Sequence, residues 1–331
     1  MNDLKLIVLD NIKDLGKKID GYLKHIYKTE ESFIVNITRD RFNNGEGKIK
    51  INEDIENKTV YIISDVANYS ITYKMYGFIH NMAPDEHFQD IKRVISAVSG
   101  YAKKIVVIMP LLYQSRQDRR SKNESLDCAM ALQELENLGV DKVITFDVHN
   151  IDVINAIPNK PFESYDVTNE VLNSIETNES IEDVLVISPD MGAAKRAKQY
   201  AELLKTDIGV FYKRRDITSV VDGKNKIIEH IYLGPSVKDK NIIVVDDMIA
   251  SGASMIDTIK ELKAKGAKNI YLVTTFAFFT EGTNYFDEAY NNKLFTKLYS
   301  TNLSYIPDNI KAKEWFMEVD CADKLANIIT K

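Results

Sequence analysis

Short apolar, β-branched runs recur along the chain, and each ends in a polar or acidic residue. Val60–Ile63 leads into Ser64-Asp65, Ile105–Met109 into Pro110, and Val143–Phe146 into Asp147. Val184–Ile187 leads into Ser188-Pro189-Asp190, Ile242–Val245 into Asp246-Asp247, and Ile270–Thr275 forms a further run. Near-continuous hydrophobicity over so few residues predicts strands buried on both faces, the condition of a parallel sheet. Between the runs, apolar residues fall at helical spacing. Ile91, Val94, Ile95 and Val98 make one stripe, and Met130, Leu132, Leu135 and Leu138 approximate another. A helix is predicted from Ala193 to Leu204, and Ile256, Ile259, Leu262 and Lys263 continue the pattern after the acidic pair. Gly139 and Gly266 stand where helices should stop, each shortly before a new strand.

Strand–helix alternation of this kind means α/β architecture with right-handed crossovers. It runs once before about residue 160 and again after about residue 180, with Asn159-Lys160-Pro161-Phe162 reading as the break. A chain of 331 residues is long for one domain and comfortable for two. Two α/β domains of similar build are therefore expected. Hydrophobic residues at 44% and charged residues at 28% give an ordinary globular balance with a sizeable core. A net charge of −6 argues against nucleic-acid binding as the main activity. Cys128 and Cys321 follow no metal-binding spacing and are expected to be reduced thiols. No apolar run approaches the ~18–20 residues of a membrane span. The start, MNDLKLIVLDNIKDL, lacks a signal-peptide layout, so a cytoplasmic protein is expected.

The sharpest chemical signal is the segment from Ile242 to Ser254, where a buried strand meets Asp246-Asp247 and then small residues open a helix. Small side chains let backbone N–H groups approach an anion, and a helix start adds positive potential. Such a loop can cradle a phosphate through residues 250–254, while the two carboxylates accept hydrogen bonds from sugar hydroxyls. Taken alone, the same residues also read as a strand exit with Ser251 or Ser254 as a helix N-cap. Gly45-Glu46-Gly47-Lys48 lacks Walker A spacing, so a nucleotide would be held another way.

This segment resembles the phosphoribosyl-binding motif of type I phosphoribosyltransferases and of ribose-phosphate pyrophosphokinases. Further stretches resemble the pyrophosphokinases in order along almost the whole chain. Arg41-Phe42-Asn43-Asn44-Gly45-Glu46 is similar to the family's adenine-binding RFxDGE, with Asn44 in the place of Asp. Alone it reads as a polar hairpin; Phe42 offers a stacking face, Asn44 and Glu46 acceptors. Arg116-Gln117-Asp118-Arg119-Arg120 looks like RQDRK, and its arginines suit a shared anion such as a triphosphate. Thr145-Phe146-Asp147-Val148-His149 resembles the MDLH strand end, whose His contacts metal–ATP. Ser188-Pro189-Asp190-Met191-Gly192 resembles SPDxGG near ribose and metal, with Ala193 replacing the second Gly. Phe211-Tyr212-Lys213-Arg214-Arg215 matches the KxR catalytic pair, which points to Lys213 and Arg215.

The resemblance implies two phosphoribosyltransferase-like domains, residues 1–163 with 315–331 on the ATP side and 164–314 on the ribose 5-phosphate side. It implies Mg2+-dependent transfer of the β,γ-diphosphate of ATP to the 1-hydroxyl of ribose 5-phosphate. Phe42, Asn44, Glu46, Arg116, Gln117 and His149 would bind ATP, and His149 and Asp190 would manage the metal. Asp246, Asp247, Ala250, Ser251, Gly252, Ala253 and Ser254 would bind ribose 5-phosphate. A homo-oligomer built from dimers, commonly a hexamer, is also implied, with neither nucleic acid nor membrane as a partner. Two departures stand out. Ala250 sits where the family's DDxxDTxGT carries a third acid, with Ser251, Ala253 and Ser254 for Thr, Gly and Thr. Extra sequence runs from Tyr69 to Pro84, where an enlarged loop near the nucleotide is expected. A catalytically silent, synthase-like subunit and a phosphoribosyltransferase that consumes the product remain the alternatives.

Overall fold

The computed structural model describes residues 3–221 and 224–331, and over 213–230 it describes the main chain alone. The chain divides into two compact units. One comprises residues 1–166, 302–305 and 320–331, and the other residues 167–301 and 306–319. In the first unit the strands are β1 (Leu4–Val8), β2 (Ile37–Arg41), β3 (Gly47–Ile51), β4 (Thr59–Ile63), β5 (Thr72–Met75), β6 (Phe78–Asn81), β7 (Lys104–Ile108), β8 (Lys142–Phe146) and β9 (Phe162–Tyr165). Its helices are α1 (Lys13–Tyr27), α2 (Pro84–Val98) and α3 (Asp127–Asn137). The second unit contributes α4 (Thr168–Asn178), β10 (Val184–Ser188), α5 (Ala194–Leu204), β11 (Ile208–Val221), β12 (Lys224–Leu233), β13 (Asn241–Ile249), α6 (Ala253–Ala264), β14 (Ile270–Ala277), α7 (Asn284–Asn291), β15 (Lys297–Thr301), α8 (Asp308–Lys311) and β16 (Phe316–Val319). The last helix, α9 (Ala322–Ile329), returns to the first unit and packs on α1.

The first unit's main sheet runs β1-β4-β7-β8-β9, all parallel. Val60, Ile62, Val107 and Val143 are fully or almost fully buried, as continuous apolar strands demand. They pack against the predicted α2 stripe of Ile91, Val94, Ile95 and Val98. On α3 the buried face is Cys128, Ala131, Leu132 and Leu135, whereas Met130 and Leu138 are exposed. The small Cys128 and Ala131 carry the contact with the core, so scoring bulk alone rotated the predicted face. Phe162 begins edge strand β9 and pairs with Val143, so the boundary falls three residues later than expected, between Asp166 and Val167. Likewise residues 316–319 pair with β15, and the chain re-enters the first unit at Asp320. The extra sequence after Tyr69 is an antiparallel hairpin, β5–β6.

The second sheet runs β12-β11-β10-β13-β14-β15-β16, parallel except for the β11–β12 ribbon. The acidic pair lies inside β13: Asp246 aligns with Thr274, and pairing with β14 continues to Ile249 and Ala277. Main-chain pairing with a neighbour does not depend on side-chain polarity, so the strand outlasts its hydrophobic run. Gly139 and Gly266 follow α3 and α6, donating to the carbonyls of Glu136 and Lys263.

Where β4 ends, a buried carboxylate ties down the returning chain. Asp65, 0% exposed, accepts from Ser304 Oγ at 3.0 and 3.1 Å and from the Tyr305 N–H at 2.7 Å. Burial raises its pKa to about 6 against the opposing pull of these donors and of the Ala67 N–H. The folded protein therefore holds this proton more tightly than the unfolded chain does. Stability is expected to fall by about 2–3 kcal/mol as pH rises from about 4 through 6, at ~1.4 kcal/mol per pKa unit. Urea titrations across that window should show the slope in the wild type and lose most of it in Asp65→Asn.

Candidate active site

The C-terminal ends of β10 and β13 bring three carboxylates of the second unit into one electrostatic neighbourhood. Asp246 is held well above the ordinary carboxylate range, by burial first and then by repulsion from Asp247 and Asp190. The positive charge of Arg196 opposes this. Asp246 Oδ1 accepts from the Asp247 N–H at 2.9 Å, and Asp247 Oδ1 from the Met248 N–H at 2.7 Å. Crowded, partly desolvated carboxylates of this sort are relieved by a cation or by hydroxyl donors.

Beyond them, residues 250–254 turn the chain into α6. Gly252 is the N-cap, no side chain caps the helix, and its first turn carries no acid. Neither Ser251 nor Ser254 caps the helix, so the expected alternative of a serine N-cap is not what the loop adopts. The first-turn N–H groups and the helix dipole instead present a positive end suited to an anion. Gly252 has φ +82°, and a Cβ there would lie 2.6 Å from Cζ of Phe286, which is 0% exposed. Ala253 begins the helix, so its extra methyl is accommodated.

The Asp190 turn is organised from within. Oδ1 of Asp190 accepts from the N–H groups of Gly192 at 2.9 Å and Ala193 at 3.1 Å, and Ser188 Oγ donates to the Asp190 carbonyl at 2.6 Å. Ala193 has φ −83°, an angle open to any residue, which is why it can replace glycine. Arg196, in the first turn of α5, escaped the sequence reading. Its position just after the Ser188–Gly192 turn was the available signal.

In the first unit, Asp118 accepts from Asn150 Nδ2 at 2.7 Å and pairs with Arg119 Nε at 3.4 Å. That bond joins the Arg116–Arg120 segment to the turn carrying His149. The three arginines do not crowd around Asp118; Arg116, Gln117, Arg119 and Arg120 are exposed, as is His149. Asp147, just after β8, has a positive φ of 45°. Phe42, Asn44 and Glu46 lie at the exposed tip of the β2–β3 hairpin. Asn44 Nδ2 donates to Glu46 Oε2 at 2.9 Å, so the two expected base contacts bond to each other. Lys213 and Arg215 belong to β11, whose ribbon has a register irregularity between Arg214 and Arg215. Their side chains lie outside the described residues. His149 and Asp190 fall in different units. Among the described residues no group of three or more His, Cys, Asp or Glu is arranged to hold a metal ion. No described helix is long and apolar enough to cross a membrane.

Comparison with known proteins agrees with the two-unit division. A sequence family described as the N-terminal domain of ribose phosphate pyrophosphokinase matches residues 4–139, and one described as the phosphoribosyl transferase domain matches residues 163–301. A ribose-phosphate pyrophosphokinase of Haemophilus ducreyi is 27% identical over 285 residues, covering 85% of this chain and 81% of that protein. One from Mycoplasma genitalium is 28% identical over 294 residues, covering 88% and 81%. The crystal structure of phosphoribosylpyrophosphate synthetase from Mycobacterium smegmatis matches with a TM-score of 0.78 at 19% identity, over 100% of this chain and 98% of that one. That last likeness is one of fold.

Proposed function

The chain belongs to the ribose-phosphate pyrophosphokinase family, and from that premise we propose that it transfers the β,γ-diphosphate of ATP to ribose 5-phosphate. The 1-hydroxyl of the sugar attacks the β-phosphorus; the bond to the α-phosphate oxygen breaks, and AMP and 5-phosphoribosyl 1-diphosphate leave. Catalysis of such a transfer is mainly positioning and charge stabilisation. The observation that carries the reading is the Asp118–Asn150 bond, which holds the Arg116–Arg120 segment beside His149 at the end of a parallel strand. A phosphoribosyltransferase that only consumes the product needs no second cationic station of this kind.

On this reading the α6 start and residues 250–254 hold the 5-phosphate, while Asp246 and Asp247 accept from the ribose hydroxyls. Ala250 supplies no carboxylate, so Asp246 and Asp247 alone provide the acids of this loop. Arg116 and Gln117 grip the phosphate chain, and the Phe42, Asn44 and Glu46 tip takes adenine. Lys213 and Arg215 neutralise charge that grows on the bridging oxygen. Magnesium is part of the proposal, with the Asp190 carboxylate of the second unit and His149 of the first as the residues named for it; the oxygen donor of Asp190 suits that hard cation. Mg2+ commonly takes one or two protein carboxylates and completes its shell with water and substrate phosphates. When bound, it would neutralise phosphate charge. A dimer-based homo-oligomer is part of the proposal, as is a cytoplasmic location, in keeping with the burial of Cys128 and Cys321.

The test is AMP release from purified protein with Mg-ATP, with and without ribose 5-phosphate, with the sugar product weighed by mass spectrometry. AMP and phosphoribosyl diphosphate should appear one for one, and only when ribose 5-phosphate is present. Binding of both substrates without AMP, across phosphate and magnesium concentrations, would instead establish the silent-subunit alternative.

A further inference from the structure

Among the described residues the β2–β3 hairpin forms a sheet of two strands only, and a two-stranded ribbon alone is marginal in water. Its base is anchored on α2, where the buried Asp90 accepts from Arg39 Nε at 2.6 Å, Arg41 Nη2 at 3.1 Å and Arg93 Nη1 at 2.6 Å. Its tip, residues 42–47, lies beyond that anchor, with Phe42, Asn43, Asn44 and Glu46 exposed and Gly45 and Gly47 half-buried. What meets the tip is the extra hairpin, β5–β6. The Tyr76 N–H donates to the Asn43 carbonyl at 2.9 Å. Met75 Sδ occupies the space beside Gly45, 2.5 Å from where a Cβ would stand, and Gly45 has φ +93°. The Arg41 guanidinium lies 5.0 Å over the Tyr73 ring, and the Tyr73 hydroxyl donates to Glu86 on α2. The hairpin thus ties the tip to the same helix that anchors its base.

We infer that the β5–β6 hairpin is an intramolecular brace, in which Tyr73 and Met75 act as positioning residues for the Phe42–Gly47 tip. The backbone of that tip closes through Phe42 N–H to Glu46 O at 2.8 Å and Gly45 N–H to Phe42 O at 2.9 Å. These two bonds fix where Phe42, Asn44 and Glu46 sit, and Met75 and Tyr76 press on the turn that they close. Bracing from within the chain replaces ordering entropy that a loose tip would lose on binding a ligand. The consequence for catalysis rests on the proposed assignment of this tip to adenine. A braced tip would show itself in the KM for ATP, and leave kcat and the KM for ribose 5-phosphate where they are.

The experiment uses full-length Met75→Ala, Met75→Leu, Tyr73→Ala and Tyr73→Phe proteins. Hydrogen exchange is read on peptides spanning residues 37–51 without nucleotide, and both KM values and kcat are measured on the same preparations. Exchange at Phe42 and Gly45 should quicken on the order of tenfold in Met75→Ala and Tyr73→Ala. The KM for ATP should rise on the order of tenfold, because a loosened tip must be ordered when the nucleotide binds. Met75→Leu, which refills the space, and Tyr73→Phe, which keeps the ring beneath Arg41, should recover most of both effects. Unchanged exchange in both alanine variants overturns the brace. Faster exchange with an unchanged KM for ATP sustains the brace and removes the tip from the ATP site, so the two readings fail separately.

Discussion

Gly252→Ala is expected to lower stability by about 2–5 kcal/mol and to weaken ribose 5-phosphate binding on the order of tenfold or more. The first part adds two physical terms. A non-glycine residue held at φ +82° is strained by about 1–2 kcal/mol, and forcing a methyl into a packed interior adds about 1–3 kcal/mol. Phe286 cannot step aside cheaply. It is fully buried and packs edge-on against Phe279 at 5.2 Å and face-on against Trp315 at 5.8 Å. The loop is the more movable partner, so relief of the clash should come from residues 250–254 and carry the α6 N–H groups away from the 5-phosphate. Denaturant titration gives the first quantity. Calorimetric titration with ribose 5-phosphate, at a temperature where the variant is folded, gives the second. ATP affinity, assigned to the other unit, should stay within a few-fold of the wild type. A Gly252→Ala protein with wild-type stability and sugar-phosphate affinity would show that neither the close approach to Phe286 nor this loop matters as described.

The same loop shows what was legible beforehand. A continuous apolar run such as Ile242–Val245 can only be buried on both faces, so the parallel strands and the two-unit α/β plan were visible in the residues. The α2 stripe was equally plain, because four large aliphatic side chains mark one face without ambiguity. Elements whose position depends on a neighbour were not legible. Asp246 and Asp247 belong to β13 because β14 pairs with them, and nothing local to the acids says so. The edge strands β9 and β16 are short and lie beside polar segments, so the start of β9 passed for the break between domains and β16 was assigned to the first domain, whereas it pairs with β15 of the second. The β5–β6 hairpin alternates exposed and half-buried residues and carries no core, which leaves only the Tyr76-Gly77 turn to betray it.

The candidate site divides in the same way. Residue types and order pointed to phosphate, sugar and nucleotide stations, because those chemistries need particular donors at particular spacings. The engagement of each group came only with the fold. Asp190 spends one oxygen on its own turn, Asn44 bonds to Glu46, and Asp118 holds Asn150 instead of gathering three arginines. Only the Asp118–Asn150 bond links segments whose separation in space is set by the sheet; the other two close within their own turns, where the choice of partner depends on the local backbone geometry. Arg196 was missed for a related reason: a single arginine in a helix is unremarkable until strand ends place three carboxylates near it.

Lys213→Ala is expected to lower kcat on the order of 10²-fold or more while leaving the binding of ATP and ribose 5-phosphate within a few-fold of the wild type. A cation assigned to charge that appears only as the α,β-bridging oxygen departs has little to bind in the ground state. Its removal should therefore be felt in the transition state, at about 3 kcal/mol for a group of this kind. Loss of kcat with unchanged affinity is the kinetic mark of that role, whereas a phosphate anchor such as Arg116 should move the KM for ATP as well. Arg215→Ala should behave like Lys213→Ala, and the double variant should be less impaired than the product of the two, because groups that neutralise one developing charge act together. Isothermal titration for binding and single-turnover AMP formation for chemistry separate the quantities. Single-turnover rates within a few-fold of the wild type would take Lys213 out of the reaction. A loss confined to ATP affinity would make it a substrate anchor instead.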